Sequence, residues 1–208
     1  MATENKDNST LGVAPETAGN SLPNALDFMI RQIIKGLVNT SLPVIVMKCY
    51  PGGTGGAAGY VDIKPLVCQT DASGEILPPA VIYHIPYFRL QAGVAAVVID
   101  PIPGDIGLAV FSQADASALL QGATQPVQPG SWRCYNQADA FYIGGFLNKQ
   151  PSVWIELTQG GVININASGG VNITAPNVNI TGDMTSGGIS YLGHVHGCPH
   201  GGTTSTPQ

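Results

Sequence analysis

Charge is scarce in this 208-residue chain: Asp, Glu, Lys and Arg together make up 10% of it, against about 25% in ordinary soluble domains. Thirteen acids outweigh eight cations, giving a net charge of −5. A surface of that sign and sparseness excludes a protein that grips nucleic acid through its phosphates. Aromatics reach only 7%, enough for a modest core and too few for a large one. The longest apolar run covers residues 94–99, far short of the roughly 20 residues of a membrane-spanning helix. Residues 1–21 are polar, with no basic segment leading into an apolar one, so the sequence predicts a cytoplasmic product without an export signal. The four cysteines show no CxxC spacing, and Cys49, Cys68 and Cys134 are expected to be reduced, mostly buried thiols. Catalytic signatures are missing too: there is no G-x-S-x-G, no Walker A sequence and no H-E-x-x-H. The glycine-rich residues 51–59 lack the Gly-Lys-Ser/Thr that cradles phosphate, and they read as a hairpin loop. Asp100, Asp105 and Asp115 stand in turn contexts, where carboxylates cap the backbone more often than they catalyse. The expectation is a non-enzyme with no small-molecule substrate.

Turns and strands dominate what is present. Glycine and proline, 27 and 16 residues, punctuate the chain throughout. Residues 24–38 carry apolar side chains at Leu26, Met29, Ile30, Ile33, Ile34 and Leu37. That is the stripe of an amphipathic helix, with Asn24 as the expected N-cap. From residue 42 the pattern changes to short strands over 42–50, 59–69, 80–85, 94–99, 106–111 and 139–146, each bounded by Pro, Gly or Asp. So many short strands around a small core predict a compact antiparallel barrel of the OB type. His84 falls in one of these strands and reads as a barrel histidine with its polar atoms satisfied.

Composition then shifts. Every Lys and Arg lies at or before Lys149, and beyond residue 157 the one charged side chain is Asp183. Residues 160–181 read GGVININASGGVNITAPNVNIT, with repeat units starting at Ile163, Val171 and Val178. Each unit alternates a β-branched apolar residue with Asn or Thr, so one face is apolar and the other polar but uncharged. A single chain has no layer with which to bury those faces. Three copies wound together would close the strand edges around a thin apolar axis, so a homotrimeric, intertwined β-helix is expected.

Residues 189–201 read ISYLGHVHGCPHG and hold three of the four histidines. His194 and His196, at i and i+2, project from one face of an extended segment. Imidazole suits Zn, Cu, Fe and Ni. If three chains meet on an axis, this pair supplies six nitrogens, which favours iron or another octahedral ion over tetrahedral zinc. Within one chain, His194, His196, Cys198 and His200 could instead bind zinc. A solvated His-containing tail is the third reading.

These parts in this order resemble the central spike, the membrane-piercing baseplate protein of contractile-tailed bacteriophages. The resemblance covers roughly residues 22–201. In the barrel it rests on Pro103-Gly104-Asp105-Ile106-Gly107-Leu108 running to Phe111, similar to the PxxGDxGLxxF stretch of such spikes, and on Asn136-Gln137-Ala138-Asp139-Ala140-Phe141 leading to Gly144-Gly145-Phe146. It implies an all-β homotrimer: an N-terminal OB-like antiparallel barrel followed by an intertwined triple-stranded β-helix with a metal-bound apex. The corresponding domains would be a disordered or docking arm (1–21), the barrel with its N-terminal helix (22–150), the trimeric β-helix (151–189) and the metal-binding tip (190–208). The resemblance further implies one iron ion per trimer held by His194 and His196 of three chains, docking of the barrel on phage tail hub or tube proteins, and a place at the tip of the virion's tail baseplate. Its target would be the bacterial outer membrane, perforated mechanically as the tail contracts. Cys198 and His200 go beyond the minimal His-x-His motif and keep zinc open as the alternative metal. A trimeric receptor-binding tail fibre or needle tip, or a type VI secretion spike, is the alternative function.

Overall fold

A computed structural model describes residues 19–53, 56–70, 75–197 and 199–205. Most of the expected N-terminal arm, and Cys198, lie outside the described residues. The chain divides into two units, residues 1–149 and 150–208. It is mostly β, with few helices.

In the first unit, helix α1 spans Leu22–Leu37 and starts three residues earlier than an N-cap at Asn24 would place it. Ser21, not Asn24, is the N-cap: its backbone is extended and its hydroxyl accepts from the Asn24 amide at 3.4 Å. Pro23 explains the shift, because proline fits the first helical turn, where its missing N–H has no partner to lose. The strands that follow are β1 (Ser41–Tyr50), β2 (Tyr60–Pro65), β3 (Gln69–Thr70), β4 (Ile76–Leu77), β5 (Ile82–Pro86), β6 (Leu90–Ala92), β7 (Ala95–Val97), β8 (Ile106–Phe111) and β9 (Ala140–Gly144). Five of them form one antiparallel sheet in the order β5-β2-β1-β8-β9. This sheet is curled into a half-barrel, and its two edges approach one another. Tyr87, just past β5, makes a parallel bridge with Tyr142 of β9, and the Phe88 amide donates to the Tyr142 carbonyl at 2.8 Å.

Two slips of register help the sheet to curl, one between Val46 and Lys48 and one between Val61 and Ile63, since a bulge bends its strand and adds twist. Alternate residues point inward: Val44 and Val46 from β1, Val61 and Ile63 from β2, Ala109 and Phe111 from β8. Tyr142 fills the centre at 1% exposure. Its hydroxyl has no hydrogen-bond partner, and burial pushes its pKa up to about 12. The strand expected over 94–99 does not join this sheet; β7 pairs with β6 in a separate hairpin whose residues are all exposed. The physical reason is composition: a run apolar on both faces suits a strand as readily off the barrel as in it.

Between β8 and β9 the chain makes a short helix α2 (Ser117–Leu120) and a 3-10 turn at Gln137–Asp139. Arg133 pins this loop: its guanidinium donates to Asp139 at 2.8 and 2.9 Å and to Asp115 at 3.0 Å. Asp115 also accepts from the Ser131 hydroxyl at 2.6 Å and the Ser117 amide at 2.9 Å. These contacts hold its carboxyl down at about 2, the Ser117 and Ser131 hydroxyls first and the Arg133 charge last.

The second unit contains β10 (Trp154–Leu157), β11 (Ile163–Asn166), β12 (Thr185–Ser186) and β13 (Ile189–Ser190). β10 and β11 pair antiparallel, setting Ile155 opposite Ile165 and Leu157 opposite Ile163. Among the described residues no helix is long and apolar enough to cross a membrane.

Candidate metal site and the repeat before it

Of the three repeat units, only the first is a strand. Its polar face is engaged: Asn164 donates to the Glu156 carboxylate at 2.9 Å, and Asn166 to the Ser152 carbonyl at 3.0 Å. The units starting at Val171 and Val178 have no strand assignment and no pairing within the chain. Their aliphatic side chains are open to solvent, with Ile173 71% and Ile180 57% exposed. Alternation without a partner strand leaves both the backbone and the apolar face unsatisfied.

The tip is better ordered by its own contacts. Asp183, the lone charge of this segment, accepts from the Leu192 amide at 3.0 Å and so anchors the turn that follows β13. Within that turn, His194 Nδ1 lies 3.1 Å from the Ser190 carbonyl and 2.9 Å from the Tyr191 carbonyl. Carbonyls only accept, so Nδ1 carries a proton and Nε2 is the nitrogen that could face a metal. A ring whose far nitrogen donates to a carbonyl has the arrangement of a metal-ligating histidine.

His196 is the second ring. Its centroid is 5.0 Å from that of His194, and the two planes are nearly perpendicular at 88°. With metal–nitrogen bonds of about 2.1 Å, two rings this close can share one ion. The His196 backbone is fixed by an exchange with Thr204: the His196 amide donates to Oγ1 and the Thr204 amide to the His196 carbonyl, both at 3.0 Å. Gly197 and Thr203 form a bridge beside it. Thr203 and Thr204 therefore fold back on the His-x-His segment. Among the described residues no group of three His, Cys, Asp or Glu side chains that could hold a metal is found within one chain. Cys198 lies outside the described residues.

Sequence reasoning missed Asp183, Ser190 and Thr204 as supports of this site. An isolated acid in a charge-free segment was the available signal for Asp183. The two carbonyls and the Thr204 hydroxyl leave none.

Other residues weighed from sequence also have places. His84 is exposed, not inside the barrel: its ring stacks on Tyr60 at 4.0 Å. Its backbone takes φ 59°, and its amide donates to Asp62 at 2.9 Å. Asp62 also accepts from the Tyr50 hydroxyl at 3.0 Å. Asp105 caps its turn by accepting from the Ile102 amide at 2.9 Å, and Asp100 binds Arg89 at 2.9 Å and the Tyr87 hydroxyl. Cys49 and Cys68 are half-buried free thiols, and Cys134 is exposed, correcting the expectation of burial for all three. A 37% exposed Tyr50 with Lys48 above its ring at 4.5 Å completes the Asp62 cluster. No protein-family model matches the chain, and no curated protein is detectably similar to it.

Proposed function

We propose that this chain is the central spike of a contractile phage tail, a homotrimer that perforates the bacterial outer membrane as the tail contracts. The observation that carries the reading is the repeat: the aliphatic residues of its second and third units stay exposed, and their backbone unpaired, in a single chain. Three copies wound into a triple-stranded β-helix satisfy both at once. The strand order β5-β2-β1-β8-β9, with a parallel bridge between its edges, supports an OB-type barrel as the domain that docks on the tail hub or tube.

The charge distribution suits the task. A body forced through a bilayer loses at least about 2.5 kcal/mol for each Arg, Lys or Asp carried to its centre. From residue 158 onward this chain carries Asp183 alone. Closed β-structure has no open edge to desolvate during passage. His194 and His196 from three chains would hold one iron ion, with zinc the alternative. When bound, the ion supplies a cross-link that turns binding energy into order at the chain ends. The Ser190 and Tyr191 carbonyls accept from Nδ1 of His194 and so leave Nε2 to face the ion, and Asp183 holds the turn that presents them. Force comes from contraction of the tail, so the mechanism requires no catalytic residue.

Native mass spectrometry with metal retained tests the reading. The expected mass is three chains plus one iron, and the variant carrying both His194→Ala and His196→Ala is expected to lose the ion. A monomer, or one zinc per chain, overturns the shared axis and the piercing mechanism with it.

A further inference from the structure

Helix α1 keeps its apolar face uncovered. Leu26, Ile30, Ile33 and Leu37 follow at intervals of four, three and four residues, the d-a-d-a seam of a coiled coil. Met29 and Ile34 widen the seam on its two sides, and all six side chains are between 47% and 65% exposed. No residue of the helix is buried. What shelter it has is on the far side, where Ala25, Phe28 and Gln32 are half-buried. At 100° per residue, Phe28 stands roughly 170° around the helix from the centre of the seam. Away from the seam Arg31 pairs with Asp27 at 2.7 Å. A helix of 16 residues is marginal in water without tertiary packing, so its seam requires a cover.

Two observations select further copies of this chain as that cover. Isoleucine occupies adjacent a and d positions, Ile30 and Ile33, and isoleucine at both favours three or more strands over two. Three is also the number the C-terminal repeat requires on the reading proposed above, on which this inference rests. We propose that three copies of α1 pack along Leu26, Ile30, Ile33 and Leu37 as a short three-stranded coiled coil, a second clasp of the trimer independent of the β-helix and its metal. Pro23 and the Ser21 cap fix where the coil begins, and Gly36 with Val38 marks where it gives way to β1.

Site-specific photo-crosslinking in the full-length protein tests this. One variant carries p-benzoylphenylalanine at position 33, in the seam, and another carries it at position 35, on the opposite face; native masses are recorded before irradiation. The expected result is a trimer in which the probe at 33 links chains into two- and three-chain products several-fold more than the probe at 35. Loss of the trimer with the probe at 33 but not at 35 also supports the seam as an interface between copies. A trimer with no interchain product at 33, or with equal product at both positions, overturns the coiled coil, leaves the spike reading intact and assigns the seam to a different protein such as the tail hub. A monomer in both variants and in the unsubstituted chain overturns both.

Discussion

Gly107 shows how a single atom is excluded. A Cβ there would stand 2.4 Å from Cε2 of Tyr142 and 2.5 Å from the Ile143 carbonyl oxygen, so the central tyrosine comes this close to β8 only because residue 107 has no side chain. Gly107→Ala is expected to destabilise the barrel by about 2 kcal/mol, in the range of other overpacked cores; an unchanged urea midpoint would show that the ring has room to move. Asp115 supports a second prediction, on pH. Its carboxyl is lowered from 3.8 to about 2, so the folded state prefers it ionised. The resulting stabilisation is complete well above pH 4 and disappears as pH falls through 4 towards 2. Urea midpoints measured between pH 6 and pH 2 should therefore fall more steeply for the natural chain than for Asp115→Asn, which is already weaker at pH 6. Parallel curves for the two would mean that the Ser117, Ser131 and Arg133 contacts do not favour the ionised form.

Elements differ in how completely the chain itself satisfies them. β8 was legible to the residue as a short apolar run opening after Pro-Gly-Asp, and its inward positions have partners inside the same unit. The second and third repeat units carry a clear alternation over 171–174 and 178–181, yet they form no strand alone. Alternation encodes a face; pairing needs a neighbour. Replacing Ile173 and Ile180 together by Asn removes six aliphatic side chains from the proposed trimer, a loss on the order of 10 kcal/mol per trimer. The expected outcome is a lower, concentration-dependent melting transition for the trimer, with the barrel's transition unchanged. Melting indistinguishable from the natural chain would mean that these side chains do not meet across chains. Helix α1 was legible in its stripe but not in its start, since the proline effect at Pro23 outweighed the intrinsic preference of Asn24 for a cap. The 112–139 connection was legible only in Asp115 as a turn acid that accepts a backbone amide. Its order depends on Arg133 reaching two acids, one of them 18 residues away, and no local pattern announces such a contact.

At the scale of the molecule, composition separated what the fold separates. Cations and nearly all aromatics belong to the unit over residues 1–149, and the unit over 150–208 has almost none. The tip's histidine pair was visible as spacing, while the carbonyls, Asp183 and Thr204 that orient it were not, because backbone acceptors have no sequence signature. The half-barrel, by contrast, has a core of its own, and that sets an order of events during synthesis. A ribosome delivers the barrel first, and domains fold as units from the N-terminus. On the proposed trimer, three barrels that have already met act as a tether, raising the effective concentration of the repeat segments for one another. Winding then starts beside the barrel and runs towards the tip, which makes the histidine pair the last part of the chain to find its partners and the metal a latch on finished work instead of a seed for it.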